Sequence, residues 1–344
     1  MTDLLSDPRL DPRVKAFLAR IPKLSEENFT SRERMIEAAQ TPERVAEDQH
    51  LRKELEIMDN EDVAPSSGLT ISTHEFISEP DKNTIKVQFI RPEGHDVLPC
   101  VYYIHGGGMR ISSCFDGNLR AWGRMIAANG VAVAMVDFRN CEMPSSTPEV
   151  APFPAGLNDC VSGLKWVSAS AETLGVDPSR ITIAGESGGG NLALASAMKL
   201  KQDDALHLIK GIYAMCPYIA GKWPQEHLPS SVENNGLLLS LHSNQGAMIY
   251  GIEQLERRNP LAWPSFASAD DVKGFPVTMI SLNECDPLRD EGLNFYRLLL
   301  KAGVSARCRQ VMGTCHAIEL FPIICPEISA DTAANLARFV KMPE

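Results

Sequence analysis

The chain has no apolar run approaching the ~20 residues that a membrane-spanning helix needs, which excludes a span. It has no C-x-x-C pair. Its nine cysteines, an odd number, fit reduced thiols better than a disulfide framework or a zinc site. It lacks an excess of basic residues: 33 Lys and Arg stand against 44 Asp and Glu, and a net charge of −11 is the wrong sign for a nucleic-acid surface. The opening MTDLLSDPRLDPRVKAF has no apolar core of a secretory signal, so the expected compartment is cytoplasmic. There the sequon at Asn28 carries no meaning. No internal repeat or low-complexity segment is visible. What remains is ordinary globular composition, 44% apolar and 22% charged, over 344 residues. That length suffices for one large α/β domain with an appendage, or two ordinary domains.

The pattern along the chain changes twice. Asp11-Pro12 reads as a cap with proline at the first helical position, followed by Val14, Phe17, Leu18 and Ile21 at helical spacing. Thr41-Pro42 opens a second such helix with Leu51, Leu55 and Met58 on one face. From residue 69, LTISTHEFI and TIKVQFI flank the turn-rich EPDKN and predict an antiparallel pair. Strands are then predicted at PCVYYI, VAVAMVDF, ITIAG, IYAMC, PVTMISL and ARCRQVM, with helices between most of them, such as 159–173 and 191–201. Near-continuous apolar strands alternating with helices indicate an α/β fold with a mostly parallel central sheet flanked by helices. Between about 220 and 264 the alternation breaks for roughly 45 residues, far beyond a typical αβ connection. An insertion there, with the N-terminal helices, suggests a lid.

The stretch ITIAGESGGGNLALASA, 181–197, admits two readings. Gly188-x-Gly190-x-x-Ala193 has the glycine spacing of a dinucleotide loop. Such a loop follows the first strand of its unit and is answered by an acid at the end of the next strand; this one follows four other strands, and the next strand ends in Cys216-Pro217. The alternative is G-x-S-x-G centred on Ser187, a strand-to-helix turn that exposes a nucleophile. It requires an acid and then a histidine further along. Glu284 and Asp286 follow the PVTMISL strand, and of the eight histidines His316 alone comes after them. An oxyanion needs backbone donors as well, and Ile104-His105-Gly106-Gly107-Gly108 follows a strand ahead of the serine turn. Gly107, Gly108 and Gly188 are the candidate donors, with His105 orienting the glycine loop. Glu186 and Glu284 flank this machinery, either tuning the histidine or bonding loop backbone. Cys285 and Cys315 adjoin the acid and the base; most cysteines are inert buried filler, and the alternative for these two is sensitivity to thiol reagents.

With these motifs in place, the sequence resembles the hormone-sensitive-lipase-like branch of the α/β-hydrolases, the family IV or HGGG esterases, from about residue 70 onward. The resemblance rests on HGGG at 105–108, PFPAGLND at 152–159, GESGGGN at 185–191 and ECDPLRDEG at 284–292. It implies an α/β-hydrolase fold and assigns Asp286, over Glu284 and Asp290, as the triad acid. It also implies a helical cap built from segments 1–65 and 220–264 on a core of 66–219 and 265–344. The chain departs from many members in having Gly188 after the serine, Phe138-Arg139-Asn140-Cys141-Glu142 in place of Y-R-x-A-P-E, and Ala317 after the histidine. The first two suggest a subgroup like brefeldin A esterase. The expected activity is a serine carboxylesterase acting on short-to-medium acyl esters, with Ser187, Asp286 and His316 as triad and no metal or organic cofactor needed. Lactone or formamidase-type amide hydrolysis uses the same triad, and a non-catalytic binding protein on this scaffold is the third reading. The expected partner is a small ester, not nucleic acid or membrane. Members often form homodimers, which the sequence leaves open here.

Overall fold

A computed structural model of the chain describes residues 4–21 and 26–342. Positions 1–3 and 22–25 of the expected cap segment, and 343–344 at the end of the core, lie outside the described residues. Strands β1 (Leu69–Ile77), β2 (Thr84–Pro92), β3 (Leu98–Ile104), β4 (Ala132–Asp137), β5 (Val176–Glu186), β6 (Gly211–Met215), β7 (Val277–Asn283) and β8 (Ala306–Val311) form one sheet. Its order is β1-β2-β4-β3-β5-β6-β7-β8. β1 and β2 pair antiparallel, β2 meets β4 antiparallel, and all later neighbours are parallel. The helices are α1 (Pro12–Leu18), α2 (Arg32–Ala39), α3 (Pro42–Leu55), α4 (Gly117–Ala127), α5 (Ala155–Ala169) and α6 (Ala171–Leu174). They continue with α7 (Gly188–Gln202), α8 (Ser230–Glu233), α9 (Gln245–Glu256), α10 (Ala269–Val272), α11 (Arg289–Lys301) and α12 (Pro326–Lys341).

The central strands are apolar on both faces because both faces are covered. Tyr102 and Ile104 of β3 with Ala134 and Val136 of β4 point toward α5, α7 and α11. Val101, Tyr103, Val133 and Met135, one residue out of phase, point toward α4 and α12. The two-residue period of a strand divides one apolar run between two cores. No described helix is long and apolar enough to cross a membrane.

The helical ends differ from the sequence expectation in instructive ways. α1 stops at Leu18, and its Val14 and Leu18 pack with Leu237, Cys285, Cys315 and Ile318. α2, capped by Ser31, was not predicted; only Met35 and Ala39 are buried in it, too few to mark a stripe. α3 buries no residue, and Leu51 is 49% exposed. Of the predicted apolar face, Met58, past the helix end, is buried and Leu51 is not, because α3 itself is held by charge: Arg52 bonds Asp116 at 3.1 Å, and beyond its end Glu56 and Asp59 pair with Arg120 of α4. The helix placed at 159–173 begins at Ala155 and breaks into α5 and α6, and the one placed at 191–201 begins at Gly188. The N-terminal segment also meets the insertion. Asn244 accepts from the Phe29 N–H and donates to the Phe29 carbonyl, and Arg9 reaches Glu233 and Asn234.

Candidate active site

The C-terminal edge of the parallel strands carries the chemistry-bearing residues, as expected for an open α/β sheet. Ser187 sits between β5 and α7 at φ 55°, ψ −117°, a strained conformation for a residue with a Cβ. The turn is fixed on both sides: its N–H donates to the Met215 carbonyl at 2.9 Å, and its carbonyl accepts from Tyr218 at 3.0 Å. Such a sharp turn leaves no room beside it. A Cβ on Gly189 would lie 2.0 Å from the Ile104 carbonyl oxygen, and one on Gly190 would lie 2.9 Å from that of Met215. All four glycines of the stretch therefore have steric reasons, and its dinucleotide-like spacing is incidental.

The loop after β3 lies against this turn. A Cβ on Gly188 would come within 2.8 Å of the Gly108 nitrogen, so the first turn of α7 and the glycine loop face each other. Gly107 and Gly108 have φ of 86° and 64°. Their N–H groups donate to no acceptor among the described residues. The N–H of Gly188, first in its helix, has no intrahelical partner. Two buried side chains hold the Gly106 backbone. Glu186 accepts from the Gly106 N–H and from the Tyr103 hydroxyl, each at 2.5 Å. His105 stacks on Phe138 at 4.3 Å and places Nδ1 3.0 Å from the Gly106 carbonyl. That oxygen can only accept, so Nδ1 carries the hydrogen. Burial lowers the His105 pKa, favouring the neutral ring, and pushes the Glu186 carboxyl up to about 7.

Asp286 and His316 follow β7 and β8. The His316 Nδ1 lies 2.8 Å from Asp286 Oδ2, and the second carboxylate oxygen accepts from the Leu288 N–H at 2.8 Å. With Nδ1–H committed to the carboxylate, Nε2 is left as the basic nitrogen. The other acids have different work. Glu284 accepts from the Gly313 N–H at 2.8 Å, bracing the loop that carries His316, and Asp290 pairs with Arg289 and Ser230. Glu284 therefore takes the backbone-bonding role of the two the sequence allowed. Cys216, Asp286 and His316 hold donor atoms within 4.8 Å of one another, yet Nδ1 and Oδ2 already bond each other and burial drives the Cys216 thiol well above its ordinary value.

Two cysteines take the inert, buried reading over the thiol-sensitive one. Cys285 and Cys315 are fully buried, and burial pushes the Cys285 thiol up to about 11 and raises that of Cys315 well above its ordinary value. Without thiolate or access they are poor targets for thiol reagents. Their side chains pack with α1, whose Phe17 also meets Phe321, so Phe17 and Leu18 serve packing. Sequence reasoning missed three groups. Glu319, buried beside His316 and bonded to Asn283, is three residues past the base; Asn191 and Glu291 stand inside GESGGGN and ECDPLRDEG, where position in a quoted motif was the available signal.

A family model described as alpha/beta hydrolase fold matches residues 101–320. Over 72% of this chain and 74% of its own length, carboxylesterase NlhH of Mycobacterium tuberculosis is 30% identical. The solved structure of esterase Est22 is 62% identical, covers 99% of each chain and superposes with a TM-score of 0.98. That of brefeldin A esterase, described as a bacterial homologue of human hormone-sensitive lipase, is 32% identical over 97% of this chain and 94% of its own, with a TM-score of 0.83. The chain belongs to the α/β-hydrolase family, in its hormone-sensitive-lipase-like branch.

Proposed function

We propose that the protein is a serine carboxylesterase cleaving small esters of short-to-medium acyl chain, with Ser187 as nucleophile, His316 as base and Asp286 as the acid that orients it. The 2.8 Å contact between His316 Nδ1 and Asp286, on the same sheet edge as a serine at φ 55°, is the observation that carries this reading. Ser187 Oγ attacks the ester carbonyl while His316 Nε2 takes its proton. The N–H groups of Gly107, Gly108 and Gly188 receive the developing oxyanion, each worth ~3 kcal/mol in systems of this kind. His316 then gives the proton to the departing alcohol. Water, deprotonated by the same nitrogen, releases the acid from the acyl-enzyme. Asp286 orients the ring and stabilises the imidazolium. His105, Gly106 and Glu186 hold the donor loop, and Glu284 holds the loop of the base.

The bonds between residues 26–29 and 235–245 support a cap shared by the N-terminal segment 1–65 and the insertion 220–264. Nine free cysteines, none paired, support a reducing, cytoplasmic setting. Self-association into a homodimer accompanies the family reading, and sedimentation distinguishes it from a 37.7 kDa monomer. Hydrolysis of p-nitrophenyl esters of increasing chain length, beside a lactone and an amide, tests the activity, with Ser187→Ala as control. Turnover of esters ahead of the other two is expected, with loss in the variant. Activity confined to the lactone or amide, or equal activity in Ser187→Ala, overturns the reading.

A further inference from the structure

Both ends of the insertion converge on two buried side chains that the mechanism does not use. The Asn191 amide, one helical turn beyond Ser187, donates to the Tyr218 carbonyl at 2.9 Å and to the Ala262 carbonyl at 3.0 Å. One group thus holds the chain where it leaves the sheet and where it returns. Glu291, in the first turn of α11, which follows Asp286, is fully buried and accepts from the Ile219 N–H at 2.6 Å, the Ala220 N–H at 3.2 Å and the Trp223 indole N–H at 2.6 Å. No cation pairs with it among the described residues. A buried carboxylate without a cation is a costly way to fill space, and an apolar residue of similar volume would do that at lower cost. What the carboxylate adds is direction, since three donors from one short segment point at it.

The segment so held adjoins the nucleophile. The Tyr218 N–H bonds the Ser187 carbonyl, its ring stacks on Trp223 at 4.7 Å, and its hydroxyl lies 1.9 Å from where a Cβ on Gly246 of α9 would stand. Any shift of the root moves this aromatic pair relative to Ser187. We propose that Asn191 and Glu291 are positioning residues that fix both roots of the insertion, and so set Tyr218 and Trp223 as the aromatic wall against which the acyl chain rests. This rests on Ser187 being the nucleophile.

The test is steady-state kinetics of the full chain on p-nitrophenyl acetate, butanoate and octanoate. Glu291→Gln retains an acceptor for the backbone donors but sets an amide N–H against the indole N–H of Trp223. KM for the octanoate is expected to rise about tenfold, with a smaller rise for the acetate and kcat changing less than KM. Trp223→Phe removes the opposed donor, so the double variant is expected to regain part of the octanoate KM, and Asn191→Ser to reproduce the chain-length trend. A change of kcat alone, or a KM change independent of chain length, in variants with wild-type circular dichroism overturns the proposal. Should Glu291→Gln fail to fold, Asn191→Ser decides on the same criterion. Loss of all turnover in Ser187→Ala reports separately on the nucleophile, so the two readings fail independently.

Discussion

Asp286 and Glu186 are both buried carboxylates near one histidine, and their partners separate their roles. Asp286 faces the His316 N–H and a backbone N–H, so it orients the base. Asp286→Asn is expected to lower kcat by about 10⁴-fold with a smaller effect on KM, because an amide at this position favours the wrong imidazole tautomer; stopped-flow or steady-state ester hydrolysis checks it. Glu186 bonds a hydroxyl and a loop N–H, and its burial raises the carboxyl from 4.5 to about 7. A carboxyl whose folded pKa exceeds its unfolded one holds its proton more tightly in the native state, so stability falls as pH rises from about 4.5 to about 7. Glu186→Gln removes that dependence while keeping an acceptor for Gly106. Urea unfolding at pH 5 and pH 8 should show wild type losing more stability than the variant, by at most ~3 kcal/mol. An equal loss in both counts against the raised carboxyl.

At the level of elements, the serine turn is a meeting of a strand, a helix and the glycine loop at backbone contact distance. Gly189→Ala would set a methyl 2.0 Å from a backbone oxygen that cannot move without breaking β3, so loss of folded, active protein is the expected outcome. α1 makes a different contribution. Val14 is fully buried against the segments carrying Cys285 and Cys315, the neighbours of acid and base. Val14→Ala should lower stability by about 2 kcal/mol, read as a shift in urea midpoint at constant m-value. The sequence made the central strands legible because a short apolar run, repeated between helices, has few other interpretations, and it made β1 and β2 legible through the turn between them. It misplaced α3's contacts because Leu51 and Leu55 stand at helical spacing without being buried, and the attachment is made by the charges of Arg52, Glu56 and Asp59.

For the whole molecule, burial decides what the cysteines can do. Eight of the nine are buried and Cys308 alone is half-exposed, so the folded protein should titrate with no more than one fast thiol and all nine after denaturation. Ester hydrolysis should survive that single modification; inactivation in step with a second fast thiol would contradict the burial of Cys285 and Cys315. The order of motifs along the chain was enough to determine the fold class and to nominate Ser187, His316 and the HGGG donors, because a turn that exposes a serine and a strand-end histidine leave local signatures. Local sequence offered both Glu284 and Asp286 as the acid; family likeness preferred one, and the 2.8 Å contact to His316 belongs to Asp286. The tertiary structure alone decided that Glu186 grips the donor loop, that Glu284 braces the base loop, and that Asn191 and Glu291 hold the insertion. Each of those is a contact between segments tens to hundreds of residues apart, and a single sequence records the residues of such a contact but not their distance.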